Sequence, residues 1–313
     1  MKLLITGASG FTGMTMIRFL ASRENISITG LGRKNPAQLP QVPCLSWVYG
    51  DILDPDTLSD TISEVDPDAV LHLAGLNRGP LTDLRKTNVT GTKNILDATL
   101  RVNPSCPIVV VSSSAVYGYA GNAPIAETQI LNPLSNYGIS KAEQEALCNH
   151  YTNTRDCQVA VARPFNLVGP HQPVSFVCGR IVQQVIEIEQ GTRNFLDLME
   201  IRSSRDFIDV RDVVIGYWAL LAHPEFSRTC AGNVFNVGSG KPCAISDVIK
   251  LIETITGDHY QIQLPKAMVP IPVPFQQSDN SRIHAATGWT PAIPLSDSLR
   301  DMLDASRELV KGG

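Results

Sequence analysis

A strand that turns on three glycines into a helix leaves few folds open, and this chain begins with one. Lys2-Leu-Leu-Ile-Thr6 reads as a β-strand, and Gly7-Ala-Ser-Gly10-Phe-Thr-Gly13 carries it into an amphipathic helix over residues 11–22. Glycines at this spacing allow a tight turn, let the backbone approach a pyrophosphate, and bring the helix close against the strand. The helix start adds unpaired N–H groups and a partial positive charge for phosphates. Strand, glycines and helix in this order form the context a dinucleotide-binding unit demands, and the GxxGxxG spacing sets this loop apart from GxGxxG binders.

The first half keeps the alternation. Residues 26–31, 45–48, 69–73, 107–112 and 158–163 read as strands, and 56–65, 82–101 and 136–151 as helices. The run Pro107-Ile-Val-Val-Val-Ser112 has no polar alternation, as a strand buried on both faces requires. After Pro164 the regularity decays, although 206–210 and 233–237 still look sheet-bound, and the isoleucines and valines of 181–188 mark a core-facing helix. The fold class expected is α/β: a Rossmann-type doubly wound parallel sheet with a smaller, mixed α/β C-terminal substrate domain. The first unit spans 1–165 with return segments near 205–225 and 233–240; the second, interleaved with it, spans 166–313.

Composition removes several function classes. Twenty-six Lys+Arg against 30 Asp+Glu leave a net charge of −4 with no long basic stretch, so no nucleic-acid partner is expected. No apolar run approaches the ~20 residues of a membrane span, and the start is a strand rather than a signal peptide. Seven scattered cysteines without a CxxC pair argue against a disulfide framework and a structural zinc. The expectation is a cytoplasmic protein with no metal and no membrane partner.

Two further signals carry chemistry. The second strand runs out into Gly30-Leu-Gly-Arg33-Lys34-Asn35 with no carboxylate to read a ribose, while Arg33 has the fork geometry for a 2′-phosphate. NADP (as NADPH) is therefore favoured over NAD. Tyr137-Gly-Ile-Ser-Lys141 opens the helix after the buried strand, placing phenol and ammonium on one helix face. A nearby cation is expected to lower the phenol pKa and suit it to proton transfer. At the end of the buried strand, Ser112-Ser-Ser-Ala-Val-Tyr-Gly118 offers a serine to the same substrate oxygen. His171, in a loop, and His72, in a strand, read as a solvated and a satisfied core histidine. Cys148 and His150, two apart on a helix, point to different faces.

These motifs resemble the extended short-chain dehydrogenase/reductase family of NAD(P)-dependent sugar epimerases, dehydratases and reductases. The likeness covers nearly the whole chain, through Gly50-Asp-Ile52, His72-Leu-Ala-Gly75, Asn88-Val-Thr-Gly-Thr92, Arg163-Pro-Phe-Asn166, Arg205-Asp-Phe-Ile-Asp-Val-Arg-Asp212, Asn236-Val-Gly-Ser-Gly240 and Gly288-Trp-Thr-Pro291. It implies Ser113, Tyr137 and Lys141 as the catalytic set, with Asn88 a fourth member. It implies a cofactor held by Gly7, Ser9, Gly10, Phe11, Thr12, Gly13, Arg33, Asp51, Ile52, Leu73, Ala74, Gly75, Tyr137, Lys141 and Pro164. Substrate contacts fall on Asn166, Phe176, Val177, Arg180 and Arg205, with Asn166 and Arg205 at a diphosphate. The stretch from Ser175 to Glu189 with Arg205-Asp-Phe-Ile-Asp looks most like the GDP-sugar branch, whose reductases make GDP-rhamnose. Relatives carry Arg-Pro-x-Glu near the C-terminal prolines; here Val269-Pro-Ile-Pro272 has neither charge.

Three readings follow. The first is an NADPH-dependent reductase of a nucleotide-linked 4-keto-6-deoxy sugar, with Tyr137 as proton donor. The second is an NAD-dependent nucleotide-sugar 4-epimerase using the same groups. The third, a catalytically silent NADP sensor, predicts loss of Tyr137 or Lys141, and both are present. Family dehydratases place an acid two residues before the tyrosine of the strand-end motif, and often an acid or hydroxyl one residue earlier; here those positions are Ala115 and Ser114. A homodimer is expected, the helices near 82–101 and 136–151 pairing with their copies.

Overall fold

Leu3, Leu4 and Ile5 are completely buried, so β1 (Lys2–Thr6) lies inside a sheet with helices on both faces. The computed structural model describes residues 1–33, 42–267 and 270–312; Lys34, Asn35 and Val269 lie outside them. β1 is followed by α1 (Phe11–Leu20), β2 (Ser27–Gly32), β3 (Leu45–Tyr49), α2 (Pro55–Val65) and β4 (Ala69–His72). Next, α3 (Leu81–Leu84), a π-helical turn over Arg85–Thr90 and α4 (Gly91–Val102) form one helical run. The sequence pattern predicts plain α-helix there; the wider turn has a local cause, described below. β5 (Ile108–Val111), α5 (Asn136–Arg155) and β6 (Val159–Pro164) complete the alternation.

Beyond it come β7 (Asn166–Val168), α6 (Val177–Glu189), β8 (Leu196–Asp197), β9 (Ser204–Asp209), α7 (Val210–Leu221) and α8 (Phe226–Thr229). The chain ends with β10 (Val234–Val237), β11 (Pro242–Ala244), α9 (Ile245–Thr256), β12 (Ile262–Gln263), α10 (Ser281–Thr287) and α11 (Leu295–Gly312).

Seven parallel strands form the main sheet in the order β3-β2-β1-β4-β5-β6-β10. This is the Rossmann-type α/β architecture, and the order reverses between β1 and β4, where such sheets bind ligands outside their carboxyl ends. Of the two later segments expected in sheets, β10 joins this one, beside β6. β9 instead centres a three-stranded sheet, antiparallel to β11 and parallel to β7.

One face of the main sheet buries Leu3, Ile5, Leu71 and Val109 against α1 and α7. The other buries Leu4, Val70 and Val110 against α2, α4 and α5. A separate cluster joins α6, α9 and α11 to Phe207 and Val168 of the small sheet. All seven cysteines are free. Among the described residues no side-chain group suits a metal ion, and no helix is long and apolar enough to cross a membrane.

Candidate active site

Two clefts open at the carboxyl ends of the main-sheet strands, and adjacent residues, Leu76 and Asn77, line one each. The first, of about 280 Å³, is lined by Gly7, Ser9, Gly10, Arg33, Asp51, Ile52, Leu73, Ala74 and Gly75 among others. Gly7 has φ +68°, and a Cβ there would stand 2.7 Å from the Ala74 nitrogen. Only glycine can occupy that position. A Cβ on Gly13 would lie 2.6 Å from Ala8, so helix and loop touch as closely as the motif requires. A Cβ at Gly10 would meet only the Gly7 carbonyl, at 3.2 Å, which leaves the backbone there open to a ligand. Phe11, Thr12 and Gly13 form the first turn of α1 and do not line the cleft. Arg33 stands exposed at its edge, with no carboxylate partner among the described residues. A glycine cradle, a helix N-terminus and a free guanidinium at the end of β2 fit a phosphorylated dinucleotide.

The second cleft, of about 540 Å³, contains Ser113, Ala115 and Tyr137. Their meeting follows from how α5 begins. Ser135 caps the helix by accepting a hydrogen bond from the Gly138 nitrogen at 3.0 Å. A Cβ on Gly138 would lie 2.6 Å from the Ala115 carbonyl oxygen, so the helix start presses directly on the turn after β5. Ser113 Oγ accepts from the Ala115 nitrogen at 3.1 Å and caps that turn.

The pKa of Tyr137 moves against the expected direction. Burial pushes the phenol pKa above its ordinary value, and a hydrogen bond with Ser113 only partly opposes this. The ammonium lies 5.9 Å from the ring centroid. Tyr137 is therefore a protonated phenol at neutral pH, an acid rather than a base. Lys141 is 5% exposed; burial lowers its pKa to about 8, with Cys148 and Glu145 opposing. Its Nζ donates to the Val111 carbonyl at 2.8 Å and to Gln144 Oε1 at 2.9 Å. It lies beneath Gly75, where a Cβ would approach Nζ to 3.5 Å and Asn88 Oδ1 to 3.0 Å.

Asn88 explains the π turn. Its side chain accepts from the Leu76 nitrogen at 2.8 Å and donates to the Leu76 carbonyl and to Ser140 Oγ, both at 2.9 Å. The widened turn carries this buried amide between the β4 loop and α5, a use typical of such insertions. His72 is satisfied in the core, between Thr6 Oγ1 at 2.7 Å and Thr92 Oγ1 at 3.0 Å.

A buried ion pair brackets the serine turn. Ser112 Oγ donates to Glu145, and Glu145 takes Nε and Nη2 of Arg163; the two charged side chains are 7% and 5% exposed. Arg163 donates to Tyr117 Oη at 2.7 Å, and Tyr117 donates to Asn236 Oδ1 of β10 at 2.7 Å. Both ends of the turn are thereby fixed.

Asn166, Phe176, Val177 and Arg205 line the second cleft, as does Pro164, which the resemblance had placed with the cofactor. Arg205 donates to the Ser204 carbonyl at 2.9 Å and has no carboxylate partner among the described residues. Burial lowers its pKa, with Glu200 opposing. Arg180 is exposed, stands 3.5 Å from Asp197 and is absent from the lining. His171 is exposed, with φ +66°, and lines neither cleft. No Asp or Glu lines the second cleft among the described residues.

Pro272, which ends the stretch standing where relatives carry Arg-Pro-x-Glu, closes this cleft with Val273 and Gln276, two residues that sequence reasoning missed; Gln276 donates to the Ser114 and Gly118 carbonyls at 3.2 and 3.3 Å. Nothing periodic marks that segment. It also passed over Gln144, although its position three residues after Lys141, on the same helix face, was a usable signal.

Residues 4–302 match the family described as GDP-mannose 4,6 dehydratase. GDP-6-deoxy-D-mannose reductase of Pseudomonas aeruginosa is 37% identical over 96% of each chain. The structure of RMD from Pseudomonas aeruginosa complexed with NADPH matches at 35% identity and TM-score 0.85, over 98% of this chain and 99% of the other. A UDP-glucuronic acid 4-epimerase from Bacillus cereus, in complex with UDP-4-deoxy-4-fluoro-glucuronic acid and NAD, matches at 25% identity and TM-score 0.88, over 99% and 100%.

Proposed function

Since this chain belongs to the GDP-mannose 4,6-dehydratase family, we propose that it is the NADPH-dependent reductase of a GDP-linked 4-keto-6-deoxymannose, giving GDP-D-rhamnose. The observation that carries this reading is the second cleft: among the described residues it pairs a protonated phenol with a single guanidinium and no carboxylate. Such a cleft can hold a diphosphate and protonate an alkoxide. It lacks the acid that elimination across C5 and C6 would need, because Ala115 and Ser114 stand where family dehydratases carry it.

Gly7, Ser9, Gly10, Arg33, Asp51, Ile52 and Leu73 to Gly75 would hold the dinucleotide, with Arg33 on a 2′-phosphate. When bound, the reduced cofactor supplies the hydride. Tyr137 gives its proton to the substrate oxygen while Ser113 donates a hydrogen bond to the same atom. Lys141, charged below about pH 8, stands between the cofactor side and the Tyr137 ring, 5.9 Å from its centroid. Asn166 and Arg205 take the diphosphate, and Phe176 and Val177 bound the cleft. An NAD-dependent 4-epimerase would use the same Tyr137; Arg33, with no carboxylate at the end of β2, favours NADPH and net reduction.

The same proposal assigns cofactor binding to 1–165 with the return segments near 205–225 and 233–240, and sugar-nucleotide binding to 166–313. It includes a homodimer formed by the helical run 81–102 and α5 with their copies. It also includes a cytoplasmic setting, supported by the seven free cysteines.

Supplied with GDP-4-dehydro-6-deoxy-D-mannose, the protein should consume NADPH and yield GDP-D-rhamnose by mass spectrometry and NMR. Supplied with GDP-mannose and oxidised cofactor, it should release no water from the sugar. A 4-keto-6-deoxy product in the second experiment would overturn the assignment.

A further inference from the structure

Two lines of buried hydrogen bonds meet on Thr92, and the polarity of every bond can be assigned. An ammonium only donates, so the Gln144 atom 2.9 Å from Lys141 Nζ is the amide oxygen. The Gln144 amide nitrogen then donates to Thr92 Oγ1 at 2.6 Å. The Thr92 hydroxyl gives its own hydrogen to the Asn88 carbonyl at 2.6 Å, so toward His72 Nε2, 3.0 Å away, it can only accept. That fixes the tautomer. Nε2 of His72 carries the proton, and Nδ1 accepts from Thr6 Oγ1 at 2.7 Å. Thr6 Oγ1 in turn accepts from the Ala74 nitrogen at 3.2 Å. Thr6 and Ala74 flank the glycine loop and the first cleft, and Thr6, His72, Thr92 and Gln144 are at most 1% exposed.

We propose that Gln144 is a positioning residue that holds the Lys141 ammonium at one end of a polar chain starting at Ala74 and Thr6. The proposal rests on the reading of Tyr137 and Lys141 as the proton-transfer pair. Two of the three ammonium hydrogens go to Val111 and Gln144, which leaves one for the site. Without Gln144 Oε1, the buried charge keeps a single protein acceptor, and its neutral form gains.

Tyr137, Glu145 and Cys148 face Lys141 from α5, and His72 from the end of β4; Arg163 of β6 is committed to Glu145. Burial, then the charge of Lys141, holds the His72 pKa near 3, and burial raises those of Tyr137 and Cys148. Lys141 is thus the group whose charge changes near pH 8.

The test compares wild type, Gln144→Met and Gln144→Glu from about pH 6 to about pH 10, reading both turnover and NADPH affinity by fluorescence. Losing one hydrogen bond to a charge should move the alkaline limb of Gln144→Met down by about one pH unit, roughly a tenfold loss near pH 8.5 with little change near pH 6.5. Gln144→Glu, which keeps an acceptor and adds charge, should move the limb up. The affinity titration needs no sugar. If wild type reduces no 4-keto sugar, the functional reading fails while the titration still reports on Gln144. A Gln144→Met profile that superimposes on wild type, or that is lowered equally at every pH, overturns the proposal. Should Gln144→Met fail to fold, a Gln144→Glu limb at or below the wild-type pH does so instead.

Discussion

Tyr137 is suited to finish a reduction because burial keeps its proton in place until an alkoxide takes it. Tyr137→Phe keeps the ring and removes only the donor. Turnover should fall by ~10²- to 10⁴-fold with NADPH affinity nearly unchanged, and activity within a factor of about two would remove Tyr137 from the mechanism. At the other cleft, Arg33→Ala should weaken NADPH more than NADH by roughly 10- to 100-fold, since only the former carries the 2′-phosphate. Equal weakening of both, by titration, would count against that role. Of three consecutive serines, Ser112 turns to Glu145 and Ser114 to Gln276, while Ser113 stands beside Tyr137.

Among elements, α5 matters most, and its placement depends on the absence of one side chain. Gly138→Ala gains about 1 kcal/mol of helix propensity. It also sets a methyl 2.6 Å from the Ala115 carbonyl, and overpacking of that kind typically costs about 1–3 kcal/mol. The variant should melt lower than wild type and lose turnover about tenfold or more, because the helix start must retreat from the serine turn. A higher melting temperature with full activity would show that the contact is slack.

The alternation of strands and helices through β6 was legible because βαβ units write their periods into local sequence. The π turn was not: a widened turn keeps an apolar stripe, and only the Asn88 bonds to Leu76 and Ser140 reveal its purpose. Nor could sequence place β9, since buried strands read alike in any sheet. The cleft wall beyond Pro272, Val273 and Gln276, was illegible for a third reason. It is held by carbonyl contacts to the Ser114 turn, which leave no pattern in its own residues.

For the whole molecule, the proposed dimer is the simplest test. Light scattering at micromolar concentration should give twice the chain mass of 34.0 kDa, and a monomeric mass would refute it.

The place of β10 bears on how the protein is made. This strand arrives late in the chain yet pairs with β6 along Val161–Pro164, and its Asn236 holds Tyr117 at the foot of the serine turn. On a translating ribosome, every strand of the nucleotide-binding half emerges before the one that seals its edge. Until then the nascent chain presents an unpaired apolar border, the kind that invites chaperones or aggregation. A chain released before Val237 would therefore lack more than its C-terminal part: Ser113 would hang from a loop with one tether missing.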